Sequence, residues 1–284
     1  MDPRDTIERQ VGVTVSAEVA RQLARVRSYV IDMDGVLYRG ETILPHVHDF
    51  LGALSAARVP YVMVTNNSTR TPEQYVEKLA GMGLTTTADR VVTSGLATRA
   101  WLDERYPAGT RIYLIGMPAL VETVFGDGRY RPAGVDAEVV VSGADWELTF
   151  EKLKTATIAI RRGADWVATN PDTTFPSEQG IIPGAGAILA AIAAATSATP
   201  VVIGKPEPGM LIEAAAMMHT SPGETAMLGD RLDTDILAGQ RAQFVTVLVL
   251  TGVTTPDELD GASIQPDVVV PDLAPLAAYY GARG

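Results

Sequence analysis

The chain has 284 residues, a formal net charge of −11 and no cysteine. The missing cysteine excludes disulfide bonds, thiolate metal sites, iron–sulfur clusters and cysteine nucleophiles. The negative charge argues against nucleic acid or an anionic membrane surface as the main partner. With 46% hydrophobic and 20% charged residues, the composition is that of a globular protein, and the length suits one large domain or two smaller ones.

Short apolar segments rich in β-branched residues alternate with segments of helical pattern along the chain. The predicted strands are 29–31, 61–65, 91–93, 111–115, 138–141, 166–169, 201–203, 225–228, 245–250 and 268–270. The predicted helices are 18–26, 47–58, 72–82, 96–105, 118–124, 150–162, 185–195, 210–218 and 233–242. Strands that alternate with helices in this way are typical of an α/β fold with a mostly parallel sheet.

The N-terminal region does not have the composition of a secretory signal. Residues 1–29 are rich in charged side chains and contain no apolar stretch of signal-peptide length. The longest uninterrupted apolar run, Ala187–Ala195, is shorter than the roughly 20 residues that span a bilayer. We therefore expect a cytoplasmic protein that works without a membrane.

The strongest local signal is an apolar strand that ends in two acidic residues, Asp32 and Asp34, followed by Gly35. Residues two apart on a strand lie on the same side, and open α/β sheets bind ligands at the carboxyl ends of their strands. Two carboxylates this close repel each other unless a cation or a shared proton relieves the repulsion, and Mg²⁺ suits such oxygen ligands. Taken alone, the Asp-x-Asp-Gly stretch also fits an ordinary turn.

Three further polar segments follow apolar strands. Residues 65–68, Thr-Asn-Asn-Ser, offer hydrogen-bonding groups for phosphate oxygens, although a capped polar turn has the same composition. Lys205, in a Gly-Lys-Pro sequence, would neutralise an anion, or it is a surface lysine. Residues 229–235, Gly-Asp-Arg-Leu-Asp-Thr-Asp, repeat the strand-then-acid pattern. There Asp230 would complete a metal site, and Asp233 is expected to cap the following helix.

These motifs, in this order, resemble those of the haloacid dehalogenase (HAD) superfamily of phosphatases. More narrowly, the sequence resembles the NagD-type, 4-nitrophenylphosphatase and phosphoglycolate phosphatase branch. The segments that carry this resemblance are Thr-Asn-Asn-Ser-Thr-Arg at 65–70, Thr-Asn-Pro-Asp at 169–172, Gly-Lys-Pro-Glu-Pro at 204–208 and Gly-Asp-Arg-Leu-Asp-Thr-Asp at 229–235. The resemblance implies a Rossmann-like HAD core with a mostly parallel sheet and an inserted α/β cap domain.

The resemblance also implies a set of site residues. Asp32 would be the nucleophile that forms an aspartyl-phosphate, and Asp34 would protonate the leaving alkoxide and then deprotonate the hydrolytic water. Mg²⁺ would bind the Asp32 carboxylate, the Asp34 main-chain carbonyl and Asp230, while Asp235 orients a metal-bound water. The phosphoryl oxygens would be held by Thr65, Asn66, Asn67 and Lys205.

The interval between the second and third motifs is far longer than one βα unit requires. We therefore expect a cap domain inserted into the core, with the core at 1–95, including an N-terminal extension at 1–27, the cap at 96–199, and the second part of the core at 200–284. Within the cap, Asn170 and Asp172 are candidates for contacting the leaving group of the substrate, although Asn-Pro-Asp also fits a simple turn. A closing cap would exclude water and screen leaving groups.

The motifs predict a Mg²⁺-dependent phosphatase of small phosphate monoesters, and the resemblance implies substrates such as phosphoglycolate, glycerol phosphate, nucleoside monophosphates or 4-nitrophenyl phosphate. The partner would be a small phosphorylated metabolite, with no nucleic acid and no membrane, and the sequence leaves a homodimer open. Two alternatives also stay open: a phosphotransferase with the same intermediate, and a non-catalytic module that only carries phosphate on Asp32. Asp34 and the large predicted cap both argue against the second alternative.

Overall fold

A computed structural model describes residues 17–177 and 180–283 of the chain. The chain divides into two compact units, each of which is discontinuous in sequence. Among the described residues, the first unit comprises 17–64, 80–84 and 211–283, and the second comprises Thr65–Leu79 and Thr85–Met210. The predicted core and cap boundaries at 95/96 and 199/200 stay a prediction. The first 16 residues of the predicted N-terminal extension lie outside the described residues.

The strands and helices have the following bounds. The strands are β1 (Ser28–Asp32), β2 (Tyr38–Arg39), β3 (Thr42–Ile43), β4 (Tyr61–Thr65), β5 (Val91–Thr93), β6 (Arg111–Ile115), β7 (Arg131–Pro132), β8 (Val139–Ser142), β9 (Asp165–Ala168), β10 (Thr174–Ser177), β11 (Gly180–Pro183), β12 (Val201–Val202), β13 (Thr225–Gly229), β14 (Val245–Val249) and β15 (Val268–Val270). The α-helices are α1 (Ala17–Leu23), α2 (Val47–Ala56), α3 (Pro72–Gly81), α4 (Ser94–Arg105), α5 (Pro118–Phe125), α6 (Phe150–Arg161), α7 (Ala185–Thr196), α8 (Gly209–Met217), α9 (Leu237–Arg241), α10 (Pro256–Leu259) and α11 (Ala274–Gly281). The chain also forms 3₁₀ turns at Ala88–Arg90 and Pro222–Glu224 and a π-helical turn at Leu232–Ile236.

The first unit is built on parallel strands in the order β15-β14-β13-β1-β4. Every residue of β1, β13 and β14 is buried, as expected for parallel strands that are covered on both faces. Since parallel strands end at the same edge of a sheet, Asp32 at the end of β1 and Asp230 just after β13 come to one edge. The predicted α/β fold with a mostly parallel sheet is confirmed.

An aromatic cluster joins the sheet of the first unit to two helices. The ring of Tyr29, on β1, makes edge contacts with Phe50 of α2 at 5.5 Å and with Tyr280 of α11 at 5.8 Å between ring centroids. The two buried phenol oxygens of Tyr29 and Tyr280 lie 3.1 Å apart and form a hydrogen bond. This bond satisfies two polar groups that would otherwise be costly to bury.

The second unit contains a parallel five-stranded sheet in the order β12-β9-β8-β6-β7 and an antiparallel pair of strands, β10 and β11. Apolar side chains of α6 and α7, among them Ile160 and Ile192, form a buried cluster with Trp166 of β9. The indole N–H of Trp166 donates to Oγ of Ser142 at 2.9 Å. The second unit therefore has its own parallel sheet with helices packed against it.

Two helix starts are capped by threonine side chains, whereas the helix cap that the sequence predicted at Asp233 is absent from the described residues. Thr71 exchanges hydrogen bonds with Gln74 before Pro72 opens α3, and Thr149 caps α6 by accepting from the N–H of Lys152. The prediction that Asp233 caps a helix is wrong: the π-helical turn already begins at Leu232, so Asp233 lies inside it. In the described ranges, no helix has the length and apolar character needed to cross a bilayer.

Candidate active site

Three buried carboxylates of the first unit, from Asp32, Asp230 and Asp235, form a group that we call the acidic cluster. Each offers one oxygen, and these oxygens all lie within 4.8 Å of one another. The three residues are 8%, 2% and 1% exposed. Like charges at this spacing and burial repel each other strongly unless a cation or shared protons compensate them. The structure thus brings together the carboxylates that the sequence predicts at a metal site, while their catalytic roles stay predictions.

Asp34 lies in the turn that follows β1, and its side chain is exposed, in contrast to the buried Asp32. The turn is closed by hydrogen bonds from the N–H of Gly35 to the carbonyl of Tyr38, at 2.8 Å, and from the N–H of Leu37 to the carbonyl of Met33, at 2.9 Å. An exposed carboxyl at the end of a strand is placed to exchange protons with water or with a ligand. Its predicted main-chain contact with a metal stays a prediction.

The carboxylate of Asp230 is held between two stretches of backbone. A Cβ atom on Gly35 would lie 2.5 Å from Oδ2 of Asp230, and one on Gly252 would lie 1.9 Å from the same oxygen. Gly35 also has a φ of 85°, a conformation that favours glycine. The N–H of Val253 donates to that oxygen at 2.6 Å, and Oγ1 of Thr251 donates to the carbonyl of Gly35 at 2.7 Å.

The loop at residues 251–253 was missed by the sequence analysis. It lies just beyond the buried strand β14, as the recognised motifs lie at the ends of their own strands, and it contains a glycine. Treating the loop after every buried parallel strand as a candidate for ligand contact would have identified residues 251–253.

Asp235 supports the segment that carries Asp230. Its Oδ2 accepts hydrogen bonds from the main-chain N–H groups of Asp230 and Arg231, at 3.2 and 3.1 Å. A Cβ on Gly229 would lie 2.2 Å from the Cβ of Asp235, so glycine is required for this close approach. Asp233, by contrast, is exposed and pairs with the guanidinium of Arg231 at 2.9 Å. Of the two acids that follow Arg231, Asp235 therefore belongs to the acidic cluster and Asp233 does not.

A second group of predicted site residues is joined by hydrogen bonds within the second unit. We call Asn66, Asn170, Asp172 and Lys205 the amide–lysine cluster. Nδ2 of Asn66 donates to the main-chain carbonyl of Lys205 at 2.8 Å and to Oδ1 of Asp172 at 3.1 Å. Nδ2 of Asn170 donates to the main-chain carbonyl of Asn66 at 2.7 Å, and Oδ1 of Asn170 accepts from the N–H of Asp172 at 3.1 Å.

Burial decides between the two interpretations of Lys205, because the residue is only 2% exposed and is not a surface lysine. The other two predicted phosphate ligands, Thr65 and Asn67, shape the turn after β4. Oγ1 of Thr65 accepts from the N–H of Asn67 at 3.2 Å, and Oδ1 of Asn67 accepts from the N–H of Thr69 at 2.8 Å. Contact of these residues with phosphate, and of Asn170 and Asp172 with a leaving group, stays a prediction.

Comparison with known proteins identifies the family. Residues 29–128 match the family model of haloacid dehalogenase-like hydrolases, and residues 202–276 match a second, HAD-hydrolase-like model. An acid sugar phosphatase of Staphylococcus saprophyticus is 38% identical over 247 residues, which cover 87% of this chain and 95% of that protein. The chain belongs to the haloacid dehalogenase-like hydrolases.

Solved structures place this HAD hydrolase more narrowly. A 4-nitrophenylphosphatase from Thermotoga maritima matches with a TM-score of 0.85 and 38% identity, covering 90% of this chain and 98% of that one. A glycerol phosphate phosphatase from Mycobacterium tuberculosis, solved in complex with magnesium, has a TM-score of 0.82 and 32% identity, covering 90% of this chain and 77% of that one. The predicted membership of the NagD-type phosphatase branch is confirmed, and the protein is a hydrolase of phosphate esters.

The acidic cluster of this HAD hydrolase fits the ion expected for the family. Its donors are carboxylate oxygens, which are the ligands that Mg²⁺ prefers. Because residues 35 and 252 are glycines, no side chain at these positions occupies the space of the Asp230 carboxylate. A divalent cation would also relieve the repulsion among the three buried acids.

Proposed function

We propose that this HAD phosphatase hydrolyses small phosphate monoesters with Mg²⁺ at the acidic cluster, through an aspartyl-phosphate on Asp32. One observation carries the proposal: the carboxylate oxygens of Asp32, Asp230 and Asp235 converge within 4.8 Å at the end of β1. Substrates of the phosphoglycolate, glycerol phosphate, nucleoside monophosphate or 4-nitrophenyl phosphate type are proposed. Relatives named as acid sugar, 4-nitrophenyl and glycerol phosphate phosphatases support this class.

In the first proposed step, a carboxylate oxygen of Asp32 attacks phosphorus, the bond from phosphorus to the ester oxygen breaks, and the leaving alkoxide takes a proton from Asp34. In the second step, Asp34 removes a proton from water, and the water oxygen attacks phosphorus. The bond from phosphorus to Asp32 then breaks, releasing inorganic phosphate and restoring the Asp32 carboxylate. The exposure of Asp34 supports its role, because the same group must meet both the leaving group and water.

The proposed metal ligands are the Asp32 and Asp230 carboxylates and the Asp34 carbonyl. When bound there, Mg²⁺ would supply the positive charge that lets an anionic ester approach a cluster of carboxylates. Asp235 holds the main chain at Asp230 in place through its two hydrogen bonds. Because these groups are already ordered before substrate binds, they can stabilise the charge of the transition state without rearranging.

Thr65, Asn67 and Lys205 are proposed to bind the phosphoryl group, as the family resemblance implies, and Asn66 is proposed to act through its contacts with Lys205. Lys205 suits this role because it is buried, and a cation removed from water interacts more strongly with a phosphoryl oxygen. We further propose a cytoplasmic enzyme whose partner is a small phosphorylated metabolite, with neither nucleic acid nor a membrane involved. Its net charge of −11 supports the exclusion of anionic polymers.

The test is a phosphate-release screen over a panel of metabolite monoesters together with 4-nitrophenyl phosphate, run with Mg²⁺ and again with excess EDTA. We expect release from several small esters with Mg²⁺ and none with EDTA. Release that is insensitive to EDTA would contradict the metal assignment. A parallel run with added glycerol or a nucleoside separates hydrolysis from phosphotransfer, since only a phosphotransferase yields new phosphate esters at the expense of free phosphate.

A further inference from the structure

We propose that the side chain of Asn66 is a positioning residue that fixes Lys205, and that it is not itself a ligand of the phosphoryl group. The inference deepens the proposed function and rests on it, because Lys205 matters to catalysis only if the enzyme binds a phosphate ester. It is carried by the donors, acceptors and burial of the amide–lysine cluster, all within the second unit.

Both N–H groups of the Asn66 side-chain amide are engaged in hydrogen bonds. An amide NH₂ group has two hydrogens, and Nδ2 of Asn66 directs them to the main-chain carbonyl of Lys205, at 2.8 Å, and to Oδ1 of Asp172, at 3.1 Å. The orientation of the amide is fixed by these partners, because the reversed amide would set an oxygen against two acceptors. The side chain therefore has no N–H left to offer a phosphate oxygen.

The remaining polar atom of the Asn66 side chain is of the wrong kind for an anion. Oδ1 is buried and has no hydrogen-bond partner among the residues that the structure describes, and a Cβ on Gly204 would lie 2.6 Å from it. A carbonyl oxygen accepts hydrogen bonds and repels the oxygens of a phosphate dianion. Oδ1 thus packs against the backbone of the residue that precedes Lys205.

The backbone of Asn66 is itself held by a hydrogen bond, and the side chain binds a residue that is distant in sequence. The main-chain carbonyl of Asn66 accepts from Nδ2 of Asn170 at 2.7 Å, and Asn66 itself is only 7% exposed. Its bond to the Lys205 carbonyl joins residues 139 positions apart in sequence. A carbonyl held in this way fixes the backbone from which the Lys205 side chain extends, and restricts where its ammonium group is placed.

This arrangement predicts that Asn66 acts only through Lys205. Removing the Asn66 amide frees the Lys205 backbone and lowers the affinity for phosphate. In a variant that already lacks the Lys205 side chain, the same removal should have no further effect on phosphate affinity. A direct phosphate ligand would behave differently, because its loss would multiply with the loss of Lys205. A double-mutant cycle therefore distinguishes the two roles.

The experiment measures the Kd of inorganic phosphate by calorimetry with Mg²⁺ present, and kcat/KM with 4-nitrophenyl phosphate, for Asn66→Ala, Lys205→Ala and the double variant. We expect Asn66→Ala to raise the Kd and lower kcat/KM by about tenfold or more, the range for groups that orient a ligand-binding residue. The double variant should match Lys205→Ala within about twofold. Multiplied effects in the double variant, or an unchanged Asn66→Ala enzyme, would overturn the inference.

Two further variants separate positioning from folding. Asn66→Asp keeps the shape of the side chain but replaces the donor, so it should be no better than Asn66→Ala, and it carries the same cycle if the alanine variant does not fold. Thr157→Ala is the matched control, because it also removes one polar group of the second unit, a 2.8 Å bond to the Leu153 carbonyl in α6. This control should leave phosphate affinity unchanged.

Failure of the inference and failure of the proposed function give different results. If the wild-type enzyme releases phosphate from no ester, the proposed function is overturned, whereas the phosphate titrations still show whether Asn66 acts through Lys205. If turnover is present and the double-mutant cycle is multiplicative, the proposed function stands and the positioning role of Asn66 is wrong.

Discussion

The main-chain N–H of Val253 donates a 2.6 Å hydrogen bond to Oδ2 of Asp230. The N–H of Thr254 also donates to the main-chain carbonyl of Asp230, at 3.1 Å. Both the carboxylate and the backbone of Asp230 are therefore tied to the loop after β14. Hydrogen bonds to a charged acceptor are the stronger kind, so the geometry of the acidic cluster depends on this loop as well as on the acids themselves.

Replacing Gly252 by alanine should disturb the acidic cluster directly. The new Cβ would lie 1.9 Å from Oδ2 of Asp230, so the carboxylate or the loop has to move. We expect the Mg²⁺ concentration for half-maximal phosphate release to rise about tenfold to a hundredfold.

The matched control for this change is Gly223→Ala, also in the first unit, where an added Cβ meets no atom of the described residues within 4 Å. Its Mg²⁺ dependence should equal that of the wild type. Equal Mg²⁺ dependence of Gly252→Ala and the wild type would contradict the dependence of the acidic cluster on this loop.

Asp235 should be important even though it is assigned no contact with substrate. Asp235→Ala removes the acceptor of two main-chain N–H groups, at Asp230 and Arg231. We expect a loss of about tenfold to a hundredfold in metal affinity, measured by Mg²⁺ titration of activity. Asp233→Ala is the comparison, since it breaks only an ion pair in which the aspartate is 68% exposed. Comparable losses in the two variants would contradict the role given to Asp235.

The buried tyrosine pair predicts a distinctive pattern of stabilities. Tyr280→Phe leaves the hydroxyl of Tyr29 buried without its 3.1 Å partner, which should lower the free energy of unfolding by about 1–3 kcal/mol. The double change Tyr29→Phe with Tyr280→Phe removes both hydroxyls and should recover much of that loss. Urea unfolding followed by circular dichroism measures all three, and strictly additive losses would be evidence against the bond.

The same pair predicts a loss of stability in alkaline solution. Burial raises the pKa of Tyr29 well above 10.0, and burial is also the main cause that raises the pKa of Tyr280 to about 12. Above pH 10 the unfolded chain loses phenolic protons that the folded protein keeps, so the free energy of unfolding falls as pH rises toward 12. In unfolding experiments over this range, the double phenylalanine variant should lose stability less steeply than the wild type.

Much of the fold could be predicted because strands in a parallel sheet are short, apolar and followed by polar loops. Strands β4, β5, β6 and β15 have the bounds that the sequence predicted. The two-residue strands β2 and β3 were not predicted, since such short segments carry no periodicity. The helix α11 was also missed, because its apolar face is recognisable only against its partner α2.

In the candidate site, too, residues that follow a local sequence pattern were predicted, whereas contacts between distant segments were not. Asp32 and Asp230 were found because each follows its own apolar strand. The bond from Asn66 to the Lys205 carbonyl joins segments 139 residues apart, and no local pattern in a single sequence encodes such a pairing. The expected cap at Asp233 was wrong because the helical turn begins one residue earlier, at Leu232.

Phosphate release from 4-nitrophenyl phosphate with saturating Mg²⁺ tests most directly whether Asp32 is the nucleophile. Asp32→Asn keeps the shape of the buried side chain but removes the attacking oxygen anion, so we predict no detectable turnover. Asp34→Asn, measured beside it, should retain a small residual rate and accumulate phosphoenzyme, which intact-protein mass spectrometry would reveal. Turnover by Asp32→Asn at the wild-type rate would contradict the account.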